Sequence, residues 1–328
     1  YWGIRGGSFA LMRNDSLIYA KGYGYANTKD SIPCEVKNIF RVASVSKLLT
    51  AVAVMHMEET GQLSTQDFVF GEDGILNDTL FLDYRDKKIK KITVEHLLRH
   101  TSGFSNPHGD AAFNMELVAQ FLGKPLPLSM DDMVLYATKN RLRAAPGGRY
   151  NYSNLGYIVL SKVIEKVSGI PYETYIKDSI LAPIGCYDIH LANNYSDGFR
   201  ENEVTYYEVK EAELVPSYDG TDTLVMKSLG GNDVHGLYGA GGWVASPVEL
   251  LKLVCGKFLT MLRAILLLLW HQLNGLIHMT HLRVSCCMLW LSMYLLQHMV
   301  IRISTHWLRD VLKKNLPSSR SSKMPTTA

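Results

Sequence analysis

Two stretches of the chain carry apolar residues at the three- and four-residue spacing of an α-helix. The first runs from Ser44 to about Gly61, and a glycine suits the position just past a helix end. The second begins after Tyr152 and ends at Gly169. Their apolar positions are Leu48, Leu49, Val52, Val54 and Met55 in the first, and Leu155, Ile158, Val159, Val163, Ile164 and Val167 in the second. The sequence therefore predicts two long helices with apolar sides.

Shorter elements lie before, between and after these helices. Residues 8–20 form two apolar runs around a polar tip and predict a β-hairpin. Helix starts are indicated at Thr93, at Ser129, at Pro171 and at Ser246. The predicted helices are 94–99, 130–139, 171–180 and 247–254, whereas 104–128 is predicted to be rich in loops, and 188–227 to form an irregular rim around a cleft.

The composition favours a folded domain and argues against some partners. The chain has 328 residues, 47% of them hydrophobic, which is enough for a large core. A net charge of +3 is too small to indicate nucleic acid or an anionic membrane as a partner. The five cysteines are odd in number and lack the spacing of a metal site, so they are interpreted as small buried apolar residues. No signal-type apolar run follows Tyr1, so the chain is expected to be a fragment or a processed form.

The composition changes abruptly near residue 258. Residues 258–328 contain one acidic residue, Asp310, and one glycine, Gly275, but sixteen leucines and five histidines. The preceding 257 residues hold the other 30 acidic residues and 25 glycines. An ordinary globular domain does not change in this way, so we expect a domain at 1–257 and an atypical tail at 258–328.

The start of the first long helix carries candidate chemistry. Ser44 and Lys47 form a Ser-x-x-Lys pattern within FRVASVSKLLTA, and residues three apart share one face of a helix. A serine becomes a good nucleophile when a base takes its proton, and a lysine in a dry pocket can lose its charge and act as that base. The alternative is a helix-capping serine beside a surface lysine.

A Tyr-x-Asn pattern precedes the second long helix. Tyr152 follows a Pro-Gly-Gly turn, and Asn154 comes two residues later. A phenol has an ordinary pKa of about 10, which a nearby lysine cation lowers, so Tyr152 could carry a proton between Ser44 and a leaving group. Asn154 could hold a substrate amide and bond Lys47. The alternative is a packed tyrosine and a capping asparagine; Tyr150 is a rival tyrosine that lacks the asparagine two positions on.

These motifs, together with the LLRHTSG segment that ends at Gly103, resemble the serine β-lactamase and penicillin-binding-protein family over about residues 7–253. The closest resemblance is to its branch of class C β-lactamases, D-alanyl-D-alanine carboxypeptidases and esterases. The resemblance implies an α/β (α+β) fold of the β-lactamase/transpeptidase type, with an antiparallel sheet, flanking helices and an all-helical lobe. It makes His100 part of a structural turn rather than a reactive group.

The resemblance also implies a function. Ser44, Lys47 and Tyr152 would be catalytic, Asn154 would bind substrate, and the Ser44 backbone N–H would form half of an oxyanion hole. The enzyme would be a serine hydrolase that forms an acyl-enzyme with a β-lactam, a D-Ala-D-Ala peptide or a small ester or amide. It would need no cofactor and no metal. Its partner would be this substrate and not nucleic acid, and it would be exported to the periplasm or cell envelope.

One element of the family is missing from the tail. The family carries Lys-Thr-Gly or His-x-Gly on a strand that lines the cleft, and residues 258–328 contain neither triplet. An inactive binding protein of the same fold, or a damaged product, is therefore the alternative function. Three interpretations of the tail stay open: translation in a shifted frame, a divergent helical segment, or a membrane anchor at 284–301, which Gln297 and His298 weaken.

Overall fold

The computed structural model describes residues 3–13, 15–105, 109–209 and 211–256. The α-helices of this part are α1 (Ser46–Glu59), α2 (Val94–Leu98), α3 (Met115–Leu122), α4 (Met130–Lys139), α5 (Asn154–Ser168), α6 (Tyr172–Tyr175) and α7 (Pro247–Gly256). The β-strands are β1 (Gly6–Arg13), β2 (Ser16–Asn27), β3 (Ile32–Pro33), β4 (Phe40–Arg41), β5 (His190–Leu191), β6 (Val215–Pro216), β7 (Leu224–Val225) and β8 (Trp243–Ala245). The predicted mixture of helices and antiparallel sheet is confirmed.

The N-terminal hairpin is present and longer than its apolar runs indicate. Strands β1 and β2 pair antiparallel, with Phe9 opposite Lys21 and an irregularity between Leu11 and Met12. Strand β3 continues the sheet along β2. Helix α7 lies beside this hairpin, where the Cys255 sulfur is 2.9 Å from that of Met12.

A second sheet of three short strands ties distant parts of the chain together. Its order is β4-β8-β5, and all its pairs are antiparallel. Arg41 lies opposite Val244, and Trp243 lies opposite Leu191. The chain just before Ser44 is therefore fixed to the chain just after residue 242, although about 200 residues separate the two.

Helices α1 and α5 form the centre of the core. Apolar side chains are buried along most of both helices, among them Val52, Val54, Ile158 and Val159, each with no exposed surface. A helix buried on nearly all sides cannot be displaced without exposing apolar surface, which costs about 25 cal/mol per Å². The two helices therefore form a rigid base for the residues at their N-terminal ends.

A hydrogen-bonded cluster joins these helices to the segment that leads into β8. The Thr50 hydroxyl on α1 bonds the Tyr172 hydroxyl at 2.8 Å, and it donates to the Gly239 carbonyl at 3.1 Å. The Trp243 indole donates to Tyr172 at 3.0 Å, and the Gly239 N–H donates to the Ser161 hydroxyl of α5 at 3.0 Å. The backbone of Gly239 therefore approaches α1 closely.

Most helix starts follow the predicted capping chemistry. The Ser129 hydroxyl accepts from the Asp132 N–H, and the Asp132 carboxylate accepts from the Ser129 N–H, so α4 begins with a capping box. Thr93 caps α2, and Ser246 caps α7. At α5 the capping residue is Ser153, whose hydroxyl accepts from Gly156. The capping role considered for Asn154 is therefore wrong, because its side chain is engaged elsewhere.

Three other expectations need correction. Residues 115–122 form α3 within the segment predicted to be rich in loops, since Met115, Val118 and Ala119 pack inwards at helical spacing. The helix predicted at 171–180 is short, because α6 passes into a π-helical turn at 176–181. Cys34 and Cys186 are buried as predicted, but Cys255 is only partly buried.

Several sequence predictions lie outside the described residues. These are the tail at 258–328, its three interpretations, Cys286 and Cys287, and the candidate anchor at 284–301. Among the residues that the structure does describe, no helix has both the length and the apolar character needed to cross a bilayer. The domain boundary near residue 257 stays a prediction.

The close approach at Gly239 gives a test of the core. A Cβ added to Gly239 would lie 2.3 Å from Thr50 Oγ1 and 2.6 Å from Ser161 Oγ. We expect Gly239→Ala to lower the free energy of unfolding by about 1–3 kcal/mol, because the hydroxyl cluster must move apart. Gly7→Ala is the matched control, since nothing lies within 4 Å of its added Cβ. Thermal unfolding followed by circular dichroism measures both, and equal midpoints would contradict this view of the cluster.

Candidate active site

The backbone around Ser44 is held in an exposed turn. Val42 N–H donates to the Trp243 carbonyl at 3.0 Å, and Ala43 adopts the left-handed conformation with φ of 46°. Ser44 then lies in a 3₁₀ turn, 43–45, that runs directly into α1 and leaves its side chain exposed. The sequence predicted Ser44 on the long helix itself. The structure places it in the 3₁₀ turn that immediately precedes α1, at the same end of the helix. Its hydroxyl is open to a substrate and close to the positive end of the helix dipole.

Tyr152 is the hydroxyl partner of Ser44. The two side-chain oxygens lie 2.9 Å apart in a hydrogen bond, although 108 residues separate them in sequence. Tyr152 immediately precedes Ser153, the capping residue of α5, so its position follows from where that helix starts. The geometry lets a proton pass directly between the serine and the phenol.

Lys47 lies beneath this pair, in a pocket that excludes water. Only 4% of its surface is exposed, and its amine donates to Asn154 Oδ1 at 2.6 Å and to the Ala240 carbonyl at 2.6 Å. The nitrogen also lies 4.7 Å from the centre of the Tyr152 ring. Burial lowers the pKa of Lys47 from 10.5 to about 7, and the Asp110 carboxylate partly opposes that shift. The amine can therefore gain and lose a proton near neutral pH.

Asn154 bridges Lys47 to a carboxylate. Its amide oxygen accepts from Lys47, as the sequence predicted, and its amide nitrogen donates to Asp110 Oδ2 at 2.7 Å. The residue is buried, with 7% of its surface exposed. Asp110 could not be recognised from the sequence, because it lies in a segment predicted to be rich in loops and no motif links it to Asn154.

His100 packs against Tyr152 and bonds the backbone just before α5. It adopts a left-handed conformation with φ of 56°, and its Nδ1 accepts from the Ser153 N–H at 3.1 Å. Its ring lies 4.5 Å from the Tyr152 ring, centre to centre. Burial, with help from the Lys47 charge, lowers the pKa of His100 to about 3, so the ring is neutral at physiological pH. These contacts fit the structural role inferred from the sequence: His100 packs under Tyr152 and fixes the turn before α5.

The segment predicted as a cleft rim is anchored by its tyrosines. The Tyr206 hydroxyl accepts from the Arg41 N–H at 3.0 Å, and the Tyr207 hydroxyl accepts from the Thr28 N–H at 2.7 Å. Tyr218 instead lines a cavity of about 410 Å³, together with Tyr195, His235 and other residues of the 193–198 and 233–238 segments. Two of these three tyrosines therefore hold the rim segment to the chain before Ser44.

The described residues contain no cluster suited to a metal. Within 3–13, 15–105, 109–209 and 211–256, no group of three or more His, Cys, Asp or Glu side chains could hold an ion. What the site does contain is an exposed hydroxyl, a phenol, a buried amine and an amide within contact of one another. Side chains of these kinds can activate a serine for attack on a carbonyl carbon.

Comparison with known proteins places this arrangement in a family. The family model for Beta-lactamase matches residues 1–281, so the match continues past residue 257. A protein of Bacillus subtilis (strain 168), described as the putative penicillin-binding protein PbpX, is 29% identical over 252 residues, which cover 75% of this chain and 53% of the relative. This chain thus spans about half of that relative's length.

Two solved structures are similar in fold. The octameric penicillin-binding protein homologue from Pyrococcus abyssi is 26% identical, with a TM-score of 0.55 over 79% of this chain and 52% of that one. EstCE1, described as a hydrolase with promiscuous acyltransferase activity, is 25% identical, with a TM-score of 0.58 over 76% of this chain and 67% of that one. With the family match over most of the sequence, these similarities establish that the chain belongs to the beta-lactamase family and has the serine-hydrolase fold of that family.

Proposed function

We propose that this protein is a serine hydrolase in which Ser44 forms an acyl-enzyme. The observation that carries the proposal is the 2.9 Å hydrogen bond between Ser44 and Tyr152 above the buried Lys47 amine. A hydroxyl with a normal environment is a weak nucleophile, and this environment offers it a proton acceptor and a nearby titratable amine. The family of the chain supports the same conclusion.

In the acylation step the Ser44 oxygen attacks the carbonyl carbon of the substrate. The neutral Lys47 amine next to the Tyr152 ring takes the proton of the Tyr152 hydroxyl and becomes charged, and the resulting phenolate accepts the Ser44 proton along their hydrogen bond. The backbone N–H of Ser44, near the N-terminal end of α1, supports the negative oxygen of the tetrahedral intermediate. Tyr152 then returns the proton to the leaving group as the carbonyl–leaving-group bond breaks.

In the second step water attacks the acyl-enzyme and the proton path is reversed. Tyr152 takes a proton from water and gives one back to the Ser44 oxygen as the acid leaves. Asn154 keeps the Lys47 amine in place through the 2.6 Å hydrogen bond, and we propose that it also contributes to substrate binding at the head of α5.

We propose a β-lactam, a D-Ala-D-Ala peptide or a small ester or amide as the substrate. The relative named as a penicillin-binding protein supports the first two, and the structural similarity to a hydrolase with acyltransferase activity supports the ester or amide. No nucleic acid or cofactor takes part in this scheme. The family resemblance supports a location in the cell envelope or periplasm.

One observation favours the alternative of an inactive member of the fold. Residues 258–328 contain neither Lys-Thr-Gly nor His-x-Gly, the element that would hold a substrate carboxylate. A protein that has this site but whose Ser44 is never acylated would act as a binding protein or would be a damaged product. The two proposals differ in one property, namely whether Ser44 becomes covalently modified.

Covalent labelling tests the proposed function. We expect a fluorescent fluorophosphonate to label the wild-type chain, and a fluorescent penicillin to label it if the substrate is a β-lactam. Ser44→Ala should abolish the label, because the nucleophile is gone, whereas Ser16→Ala, at the exposed start of β2, should keep it. Fluorescence on a denaturing gel measures the outcome. Folded wild-type protein that stays unlabelled by both probes would support the inactive alternative.

The rate of labelling should depend on pH through Lys47. Because the pKa of Lys47 is lowered to about 7, the amine is charged below that pH and neutral above it. Only the neutral amine can take up a proton, so we expect the labelling rate to rise with pH and to reach half its maximum near pH 7. A rate that is constant from pH 5 to 9 would rule out this role of the lysine.

The role of Tyr152 is tested by removing one oxygen atom. Tyr152→Phe keeps the ring next to His100 but loses the hydroxyl that bonds Ser44. We expect the labelling rate to fall about 10²- to 10⁴-fold, the usual contribution of a proton-transfer group. Tyr150→Phe is the matched control and should keep most of the rate. If the Tyr150 variant lost activity while the Tyr152 variant kept it, the assignment of the two tyrosines would be reversed.

A further inference from the structure

Asp110 contacts the site through Asn154 and is itself fixed in place. It precedes a short 3₁₀ turn at 111–113, and its Oδ1 accepts from the Ala112 N–H at 3.1 Å. Its Oδ2 accepts from Asn154 Nδ2 at 2.7 Å. Its backbone carbonyl accepts from the Asn114 side chain at 2.9 Å. Both carboxylate oxygens are thus engaged, and the charge points towards the amide at the head of α5.

The carboxylate decides which way the Asn154 amide faces. An ionised carboxylate only accepts hydrogen bonds, so it requires the NH₂ group of Asn154 on its side. The amide oxygen then faces the Lys47 amine, where the distance is 2.6 Å. The reversed amide would place its oxygen against the Asp110 carboxylate and its NH₂ against the amine. The contact between the two oxygens would be repulsive, and so would the contact of the NH₂ group with the protonated amine, so Asp110 selects the orientation in which the charged Lys47 has an acceptor.

The same carboxylate supplies negative charge on the far side of the amide. Among the described residues, the other titratable groups near Lys47 are His100, Tyr152 and Tyr157, contributed by the turn after α2 and by the start of α5. His100 is neutral at physiological pH, and burial raises the pKa of Tyr157 well above its ordinary value, so that phenol is neutral too. Asp110 is the carboxylate whose attraction opposes the effect of burial on Lys47.

We propose that Asp110 is a positioning residue that acts through Asn154 to fix both the orientation of the amide and the charge balance of the Lys47 amine. This inference rests on the proposed function, because the amine matters for catalysis only if Ser44 is acylated. Asp110 thus has a role in the site although it lies in a loop and belongs to no recognisable sequence motif. It also explains why a polar bridge of three side chains is buried at the head of two apolar helices.

Asp110→Asn tests this inference, with Asp73→Asn, an exposed loop position, as the matched control. An asparagine at position 110 can accept with only one of its two terminal atoms, so it must lose the bond to Ala112, lose the bond to Asn154, or turn the Asn154 amide around. We expect the Lys47 titration midpoint to fall by about 0.5–1 pH unit, because an attractive charge is gone. Nuclear magnetic resonance of the full chain, with isotope-labelled lysine side chains and Lys47→Arg for assignment, measures that midpoint.

The rate of fluorophosphonate labelling gives the second readout. In Asp110→Asn the pH at half-maximal rate should move down with the midpoint, and the maximal rate should fall about tenfold or more, since the amide no longer holds the amine. A merely structural role would change the rate without moving its pH dependence. An unchanged midpoint and an unchanged pH profile in a folded variant would overturn the inference.

The two proposals fail in different ways. If neither wild type nor variant is labelled but the Lys47 midpoint still shifts, the acyl-enzyme proposal fails and the role of Asp110 stands. If labelling is normal and the Lys47 midpoint does not move, the acyl-enzyme proposal stands and the proposed role of Asp110 fails. Should Asp110→Asn fail to fold by circular dichroism, Asp110→Ser provides the same test, because a serine hydroxyl can still cap the 3₁₀ turn while the charge is absent.

Discussion

The buried amine of Lys47 is the constraint on which the site depends. A lysine removed from water must lose its charge or find acceptors, since an isolated buried cation is very costly. Here the acceptors are the Asn154 amide oxygen and the Ala240 carbonyl, each at 2.6 Å. The first comes from α5 and the second from the segment before β8, so the amine is held only when these two elements and α1 meet correctly.

The rest of the fold keeps that meeting point rigid. Helices α1 and α5 are buried on nearly all sides, and Gly239 in the segment before β8 bonds to both, through its carbonyl to Thr50 on α1 and through its N–H to Ser161 on α5. Three non-glycine residues near the site adopt left-handed φ angles, namely Ala43 at 46°, His100 at 56° and Tyr238 at 42°. Such conformations cost about 1–3 kcal/mol each and persist only where the surroundings enforce them. Two of these strained residues lie beside Ser44 and two residues before Ala240. The packing of the core therefore offsets the strain that gives the site its shape.

The parts that could be predicted from sequence are those with local signals. Ser129 and Ser246 cap helices through neighbours three residues away, and the apolar spacing of α1 and α5 is set by their own burial. The pairing of Ser44 with Tyr152 came from the resemblance to a family, not from spacing. Asp110 and the Ala240 carbonyl could not be found, because a loop carboxylate and a backbone oxygen carry no pattern; only the folded chain brings them to Asn154 and Lys47. Helix α3 does carry apolar residues at helical spacing, namely Met115, Val118 and Ala119, but it lies in a segment that was predicted to be rich in loops.

The most direct measurement is the titration of the Lys47 side chain in the intact wild-type protein, followed by nuclear magnetic resonance of labelled lysines. If the amine is held in a dry pocket by neutral acceptors, its midpoint lies near pH 7, well separated from those of the solvated lysines. A midpoint close to the ordinary 10.5 would mean that water reaches the amine. In that case Lys47 would stay charged at physiological pH, and the account of how Ser44 is activated would be wrong.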